Sequence, residues 1–431
     1  MKYARFIWLL ILVVLAGCRR EEDQEFPQIA FLQPATGLSV STFDTLQIAV
    51  KLSDNQALNE CAVRVVNSNL VPVFAEVVVP LTGREDTVRM NYILNDTRVP
   101  SGTCYIEVRV SDGRNNARQF RQIQFTQLPR RLQGLCFVTT NQQNQSEIYR
   151  CDTTWQPQLL VPQTFAVSDI AVSSGWQQMY FSTFTAGVIR GEPLANAAGA
   201  WQYNVPQGPP ETWRSLCDYN NKVWAAHYGG ERITAFDEYG TMTYNVACSP
   251  GMRPYKLNCT GRYAIAAAHD ASQTQKQLEV FDVLTGNAVQ VYPLALDVQV
   301  IEPVDSVSVL VYGNAQGQGY VYLYNVLTNS AWQPYTLSSG MEIITACRIN
   351  ANAQLVSLEN GAVMKFTLNP IGMVPWSLGV QPRKICYDPE TNQVFIADGT
   401  TISRYDYATA LFAGNFSTPL PVVDFELWHN R

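Results

Sequence analysis

The sequence predicts an all-β chain, a small two-sheet sandwich followed by a seven-bladed β-propeller, and three observations predict it. The first is a strand that runs into a tight turn and recurs. It reads Ile233-Thr-Ala-Phe-Asp237, Leu278-Glu-Val-Phe-Asp282, Val321-Tyr-Leu-Tyr-Asn325 and Ile402-Ser-Arg-Tyr-Asp406. Weaker copies fall at Ile148–Asp152, Val188–Gly191 and Val363–Thr367. The copies lie roughly 40–45 residues apart, the period of propeller blades. The second observation is a run of short alternating segments over 27–128. The third is a strand left over at the C-terminus, Val422–Trp428, where a three-stranded first blade needs a fourth.

Residues 1–17 read as a signal peptide. Lys2 and Arg5 supply the positive start, and Phe6–Leu15 is an apolar core too short for the about 20 residues that span a bilayer. Leu15-Ala-Gly-Cys18 resembles the lipobox of bacterial lipoproteins. That resemblance implies cleavage before Cys18, lipidation of its sulfur, and a lipidated tether over 18–26. Arg19-Arg-Glu-Glu-Asp23 resembles the surface-export signal of Bacteroidota lipoproteins, which implies a lipid-anchored outer-membrane protein facing the cell exterior.

Between 27 and 128, seven short strands are expected: Ile29–Leu32, Leu46–Leu52, Cys61–Val66, Val71–Val79, Val88–Leu94, Tyr105–Val110 and Phe120–Phe125. Seven in about 100 residues suggest an immunoglobulin-like sandwich, and Cys104–Asn116 resembles the end strands of PKD-like and other Ig-like modules. Asp112 and Gly113 supply the turn. Cys61 and Cys104 fall near the starts of strands expected to pair antiparallel, hence at opposite ends and not bonded. Such modules usually act as spacers. Pro129–Arg131 reads as a linker.

The propeller is expected over 132–431. The first blade takes Leu135–Thr140, Glu147–Asp152 and Gln158–Val161 and is completed by Val422–Trp428. The others are Val167–Gln207, Glu211–Pro250, Arg253–Leu296, Val298–Ser338, Met341–Leu378 and Pro382–Leu420. This closure leaves only short, protected edges. Tyr387–Asp398 followed by Ile402–Asp406, and Val280–Gly286, resemble YncE-like propellers of the YVTN/NHL type. The resemblance speaks to fold more than to activity. Asp152, Asp237, Asp282, Asn325 and Asp406 are expected to form turns, because their short side chains bond nearby backbone N–H groups. Cys217, Cys259, Cys347 and Cys386 fall at similar points of the innermost strands and are expected to be separate buried thiols. Cys136 and Cys151 are expected to face each other across a hairpin, where a disulfide would fit.

Composition narrows the function. Charged residues are 15% and the net charge is −6, without the basic block that phosphate-backbone binding requires, so nucleic acid is not an expected partner. HExxH, GxSxG and zinc-spaced Cys/His clusters are absent, and no metal or cofactor is predicted. The candidate ligand-binding residues are His227, His269, Glu359 and Asp398, each expected at the end of a second strand, where loops open onto the face around the central channel. Imidazole and carboxylate there suit a polar ligand. The favoured expectation is a non-catalytic surface lipoprotein whose propeller binds a glycan, small molecule or partner protein, and its resemblance to Bacteroidota surface propellers implies an accessory to an outer-membrane nutrient transporter. A lyase or hydrolase acting on polysaccharide or lactone, and a docking subunit of an envelope secretion or assembly complex, stay open as alternatives.

Overall fold

The structure is a computed structural model, and it describes residues 25–162, 165–194, 199–205 and 213–431. The signal peptide, the lipobox with Cys18 and the acidic run to Asp23 lie outside the described residues. The chain divides into two compact units between Pro129 and Arg130.

The first unit is a sandwich. One sheet has three strands, in the order Gln28–Gln33, Thr45–Ser53 and Glu85–Ile93. The other has five, in the order Leu38–Ser41, Asn116–Thr126, Gly102–Ser111, Glu60–Asn67 and Val77–Pro80. Alternation buries one face of each: Leu46, Ile48, Val50 and Leu52 meet Val63, Val65, Ile106, Val108 and Ile123. Two expectations change. Leu38–Ser41 forms an additional strand, parallel to Asn116–Thr126. The expected strand Val71–Val79 shrinks to Val77–Pro80, with a single bridge between Pro72 and Val66, because Pro72 has no N–H to extend a ladder. Cys61 pairs with Val110 and Cys104 with Asn67, so the two free thiols sit at opposite ends of adjacent strands.

The second unit holds seven four-stranded antiparallel sheets among the described residues. Their innermost strands are Val422–His429 in sheet 1, Val167–Ser173 in sheet 2, Trp213–Tyr219 in sheet 3, Arg253–Thr260 in sheet 4, Asp297–Pro303 in sheet 5, Ile343–Arg348 in sheet 6 and Lys384–Asp388 in sheet 7. Each touches the next, and the last touches the first, so the ring is closed. Second strands such as Gln178–Thr183 and Ala353–Leu358 are buried on both faces, polar Gln178, Ser182, Gln354 and Ser357 included, whereas outer strands such as Ala288–Pro293 are largely exposed. The turn acids hold the outer hairpins. Asp237 accepts the N–H groups of Tyr239 (3.0 Å) and Thr241 (2.8 Å), and Asp282 accepts those of Leu284 (2.9 Å) and Thr285 (3.2 Å). Gly286 closes that turn with φ +73°, where a side chain is strained.

Sheet 1 is completed by both ends of the unit. Val422–His429 pairs with Leu132–Thr140, which continues to Ser146–Asp152 and Pro157–Pro162. Cys136 and Cys151 do not face each other as expected, and both are free thiols. Cys136 stands opposite Arg150 and Cys151 opposite Leu135. This one-residue offset sends the thiols to opposite faces of the sheet, Cys136 into the core shared with sheet 2 and Cys151 into the core shared with sheet 7.

The closing strand is locked by a buried polar chain. Arg130 Nη2 lies 2.9 Å from His429 Nδ1, and His429 Nε2 lies 2.9 Å from Asp388 Oδ1. A guanidinium only donates, so Nδ1 accepts and Nε2–H donates to Asp388. Burial pushes the Asp388 carboxyl up, but the bonds from His429, Thr391 and the Glu390 N–H outweigh it and hold it below its ordinary 3.8. A depressed carboxyl stabilises the fold above that value, and the contribution is lost as pH falls below about 4. His429→Ala is expected to cost about 2–3 kcal/mol at pH 7, less than the about 3–5 of an abandoned buried charge because Thr391 remains. It is also expected to blunt the loss of stability below pH 4. Urea unfolding across pH checks both.

Candidate functional site

Inner strands are edge strands of their sheets, and their free N–H groups face a channel where no further strand can pair. Side chains from the neighbouring sheet fill that need. Asp424 of sheet 1 accepts the Ile170 N–H of sheet 2 at 3.4 Å. Asp169 accepts the Leu216 N–H of sheet 3 at 2.6 Å, and Ser215 accepts the Leu257 N–H of sheet 4 at 3.3 Å. Asn258 carries the chain on by donating to the Ile301 carbonyl of sheet 5 at 2.7 Å. Lys384 of sheet 7 returns it to sheet 1, with Nζ 3.0 Å from Asp424 and 2.8 Å from Glu426.

Asp424, Asp169, Ser215 and Lys384 hold equivalent positions, matched in sheet 4 by Lys256, and a bulge marks six of the seven inner strands. Register shifts fall between Val167 and Asp169, Trp213 and Ser215, Pro254 and Lys256, Val298 and Val300, Ile343 and Thr345, and Val422 and Asp424. A bulge breaks two-residue alternation and re-aims the residue that follows. Sequence reasoning missed Asp169 and Asp424 for this reason, and missed Lys384 on the one inner strand without a bulge. The signal was available as a polar residue just before an apolar one at six of the seven inner strands: Asp169-Ile, Ser215-Leu, Lys256-Leu, Thr345-Ala, Lys384-Ile and Asp424-Phe.

The channel has a volume of about 750 Å³ and is lined by these groups together with Glu302, Arg348 and Arg383. Burial and the adjacent Asp424 carboxylate raise Asp169 well above its usual range. Asp424 is held low: burial opposes this, but Lys384 and the bond to Asp169 prevail. The pair therefore shares one proton. Glu302 is half-buried, and its enclosure lifts it to about 7 against the pull of Lys384.

None of the four candidate residues lines the channel. They stand one strand further out, on the face where second strands end and inner strands begin. His227 ends Lys222–His227, and its ring stacks on Trp213 with centroids 4.4 Å apart. Burial, helped by the Arg232 cation, lowers its pKa to about 4. His269 ends Tyr263–His269 with Nδ1 2.7 Å from the Asp270 carbonyl, so Nδ1–H donates there. Tyr228 links the two histidine neighbourhoods. It follows His227 in sequence and meets His269 edge-on at 5.5 Å, while Tyr255 covers another side of His269 at 4.9 Å. Arg214 and Arg253 lie over the Tyr228 ring at 4.8 and 5.6 Å. Glu359 is exposed, one residue beyond the strand Ala353–Leu358. Asp398 accepts the Gln381 N–H at 3.1 Å. The fold thus gathers His227 and His269 around one tyrosine, and leaves Glu359 and Asp398 on sheets 6 and 7. Among the described residues no group of three or more His, Cys, Asp or Glu side chains could hold a metal ion.

The strand order and the closed ring define the second unit as a β-propeller. No family model and no curated protein matches the chain. Among solved structures it is similar to a streptogramin B lyase at 15% identity, covering 62% of this chain and 91% of that one with a TM-score of 0.48. It is similar to Kuenenia stuttgartiensis hydrazine synthase at 10% identity, covering 67% and 97% with a TM-score of 0.49. The WD40 β-propeller domain of Doa1 matches at 10% identity, covering 62% and 89% with a TM-score of 0.47.

Two predictions follow from the site. Asp169→Asn keeps a donor toward Asp424 and an acceptor for Leu216 but cannot ionise. A carboxyl raised in the folded state costs stability as pH climbs above its unfolded value of 3.8. The variant is therefore expected to equal or exceed the parent in melting temperature at pH 7, with the advantage shrinking as pH falls toward 3.8. A drop at pH 7 counts against the shared proton. In a proton-NMR titration, the His227 ring is expected to show a midpoint of about 4; a midpoint near 6.5 excludes the dry environment against Trp213.

Proposed function

We propose that the chain is a non-catalytic, lipid-anchored protein of the outer-membrane surface, whose seven-bladed propeller binds a ligand or partner, as accessory to a nutrient transporter. The observation that carries the reading is the cluster around Tyr228. Buried Trp213, Tyr228 and His269 form its floor, and half-buried His227, Arg214 and Arg253 bring neutral imidazole and positive charge to the face where second strands end. Flat polar ligands such as sugars or small ring systems suit that chemistry. The state of His227 favours binding over proton transfer: a base with a pKa of about 4 is neutral at pH 7 and too weak for general acid–base work there. Of the channel carboxylates, Asp169 and Asp424 are committed to backbone N–H groups, and Asp424 also to Lys384. Leu15-Ala-Gly-Cys18 supports the anchor, and the Ig-like sandwich would lift the propeller off the membrane.

A docking role is the second reading. At matching turn positions on sheets 3, 4 and 5, Tyr239, Leu284 and Leu327 are 68%, 77% and 61% exposed. Apolar tips repeated along one rim are a protein-binding feature.

Radiolabelled palmitate is expected to label the parent and not Cys18→Ser, with the variant leaving the membrane fraction. Purifying the lipidated chain from its native membrane, with mass spectrometry of what accompanies it, separates the readings. A stoichiometric transporter supports ligand capture, and a secretion or assembly complex supports docking. The chain alone, with no thermal shift from a glycan panel, overturns the transporter accessory.

A further inference from the structure

We infer that Cys217 and Cys259 form a thiol pair that a small-molecule disulfide, entering by the central channel, oxidises to a bond stapling sheet 3 to sheet 4. The sulfurs lie 3.7 Å apart on neighbouring inner strands, close enough for bonding without a large shift of the backbone. The inference is independent of the membrane address and of the ligand.

The geometry follows from the bulge register. Ser215 and Lys256 are equivalent, since Asp169 accepts from the residue after Ser215 and Ser215 accepts from the residue after Lys256. Cys217 is two residues past its reference position, whereas Cys259 is three past its own. Side chains alternate along a strand. Cys217 therefore leans with Ser215 toward sheet 4, and Cys259 leans back toward sheet 3. The expectation that these cysteines occupy equivalent, separated points is corrected by that single-residue offset. Cys347 and Cys386 do lie two past Thr345 and Lys384. Their thiols donate to the carbonyls of Arg348 at 3.6 Å and Phe425 at 3.5 Å.

Access is asymmetric. Cys217 is half-buried and lines the channel. Cys259 is buried between the sheets with Trp224, Ala264 and Ala266. The order of steps follows. The Cys217 thiolate attacks a disulfide of the oxidised-glutathione class, forms a mixed disulfide and releases one thiol. Cys259 loses its proton to water, attacks the Cys217 sulfur and releases the second. Two protein thiols are oxidised by two electrons while one disulfide is reduced to two thiols. The staple closes a loop between sheets 3 and 4, the two sheets that carry His227 and His269, and would limit their relative movement.

The test uses the folded full chain, incubated with oxidised glutathione at pH 8, alkylated under denaturing conditions and digested with trypsin. The expected product is peptide Ser215–Lys222 joined to Leu257–Arg262, about 2 Da lighter than the two thiol peptides together and separated by dithiothreitol. The melting temperature is expected to rise by several degrees on oxidation and return on reduction. In Cys259→Ser, glutathione is expected to remain on Cys217, because the resolving thiol is gone. Recovery of both parent peptides singly with alkylated thiols, or of either cysteine linked to a different one, overturns the inference. So does a stable glutathione adduct on Cys217 of the parent chain. The parent digest decides the matter even if the variant does not fold.

Discussion

Seven edge strands face one another around an axis, and none can hydrogen-bond to its neighbour as a sheet would. An unpaired buried N–H costs about 1–3 kcal/mol, so a ring of this kind needs donors and acceptors from outside the ladders. The chain supplies them from side chains one sheet away. Asp424, Asp169, Ser215 and Asn258 link successive inner strands from sheet 1 to sheet 5, and the Asn314 amide does so again further out, exchanging two bonds with Ile343 across sheets 5 and 6. The ring is held by polar contacts at its axis and by apolar cores between its sheets.

The seam lies where the two ends of the unit meet, and polar contacts concentrate there. Val422–His429 pairs with Leu132–Thr140, far from it in sequence, so its register is set by side-chain contacts as well as by the ladder. It is fixed on one side by Lys384 and by Asp388 through His429, and on the other by the proton shared between Asp424 and Asp169. Opposite shifts in two adjacent carboxyls are the signature of that arrangement: one must stay neutral so that the other can stay charged. The seam is sensitive to pH through Asp388, whose contribution is lost in acid, and through Asp169, whose cost appears above its unfolded value of 3.8.

The two faces of the ring differ in chemistry. Where second strands end, aromatic rings and guanidiniums stack around Tyr228. Where the outer hairpins turn, Asp and Asn side chains are spent on backbone N–H groups and leave single apolar tips in water.

The repeat was legible because its causes are local. A strand with alternating apolar residues followed by Asp or Asn and a turn needs only its own neighbours to form, so Ile233–Asp237, Leu278–Asp282 and Ile402–Asp406 announce themselves in the sequence, as does the leftover strand Val422–Trp428. The positions of His227 and His269 at strand ends were legible for the same reason. What tertiary structure alone decided is which side chains meet. Bulges at the start of six inner strands shift the alternation by one, turning Asp169 and Asp424 toward each other. A one-residue offset parts Cys136 from Cys151, and another brings Cys217 to Cys259. A register difference of one residue reverses the direction of a side chain, and register is set by pairing between segments that are distant in sequence.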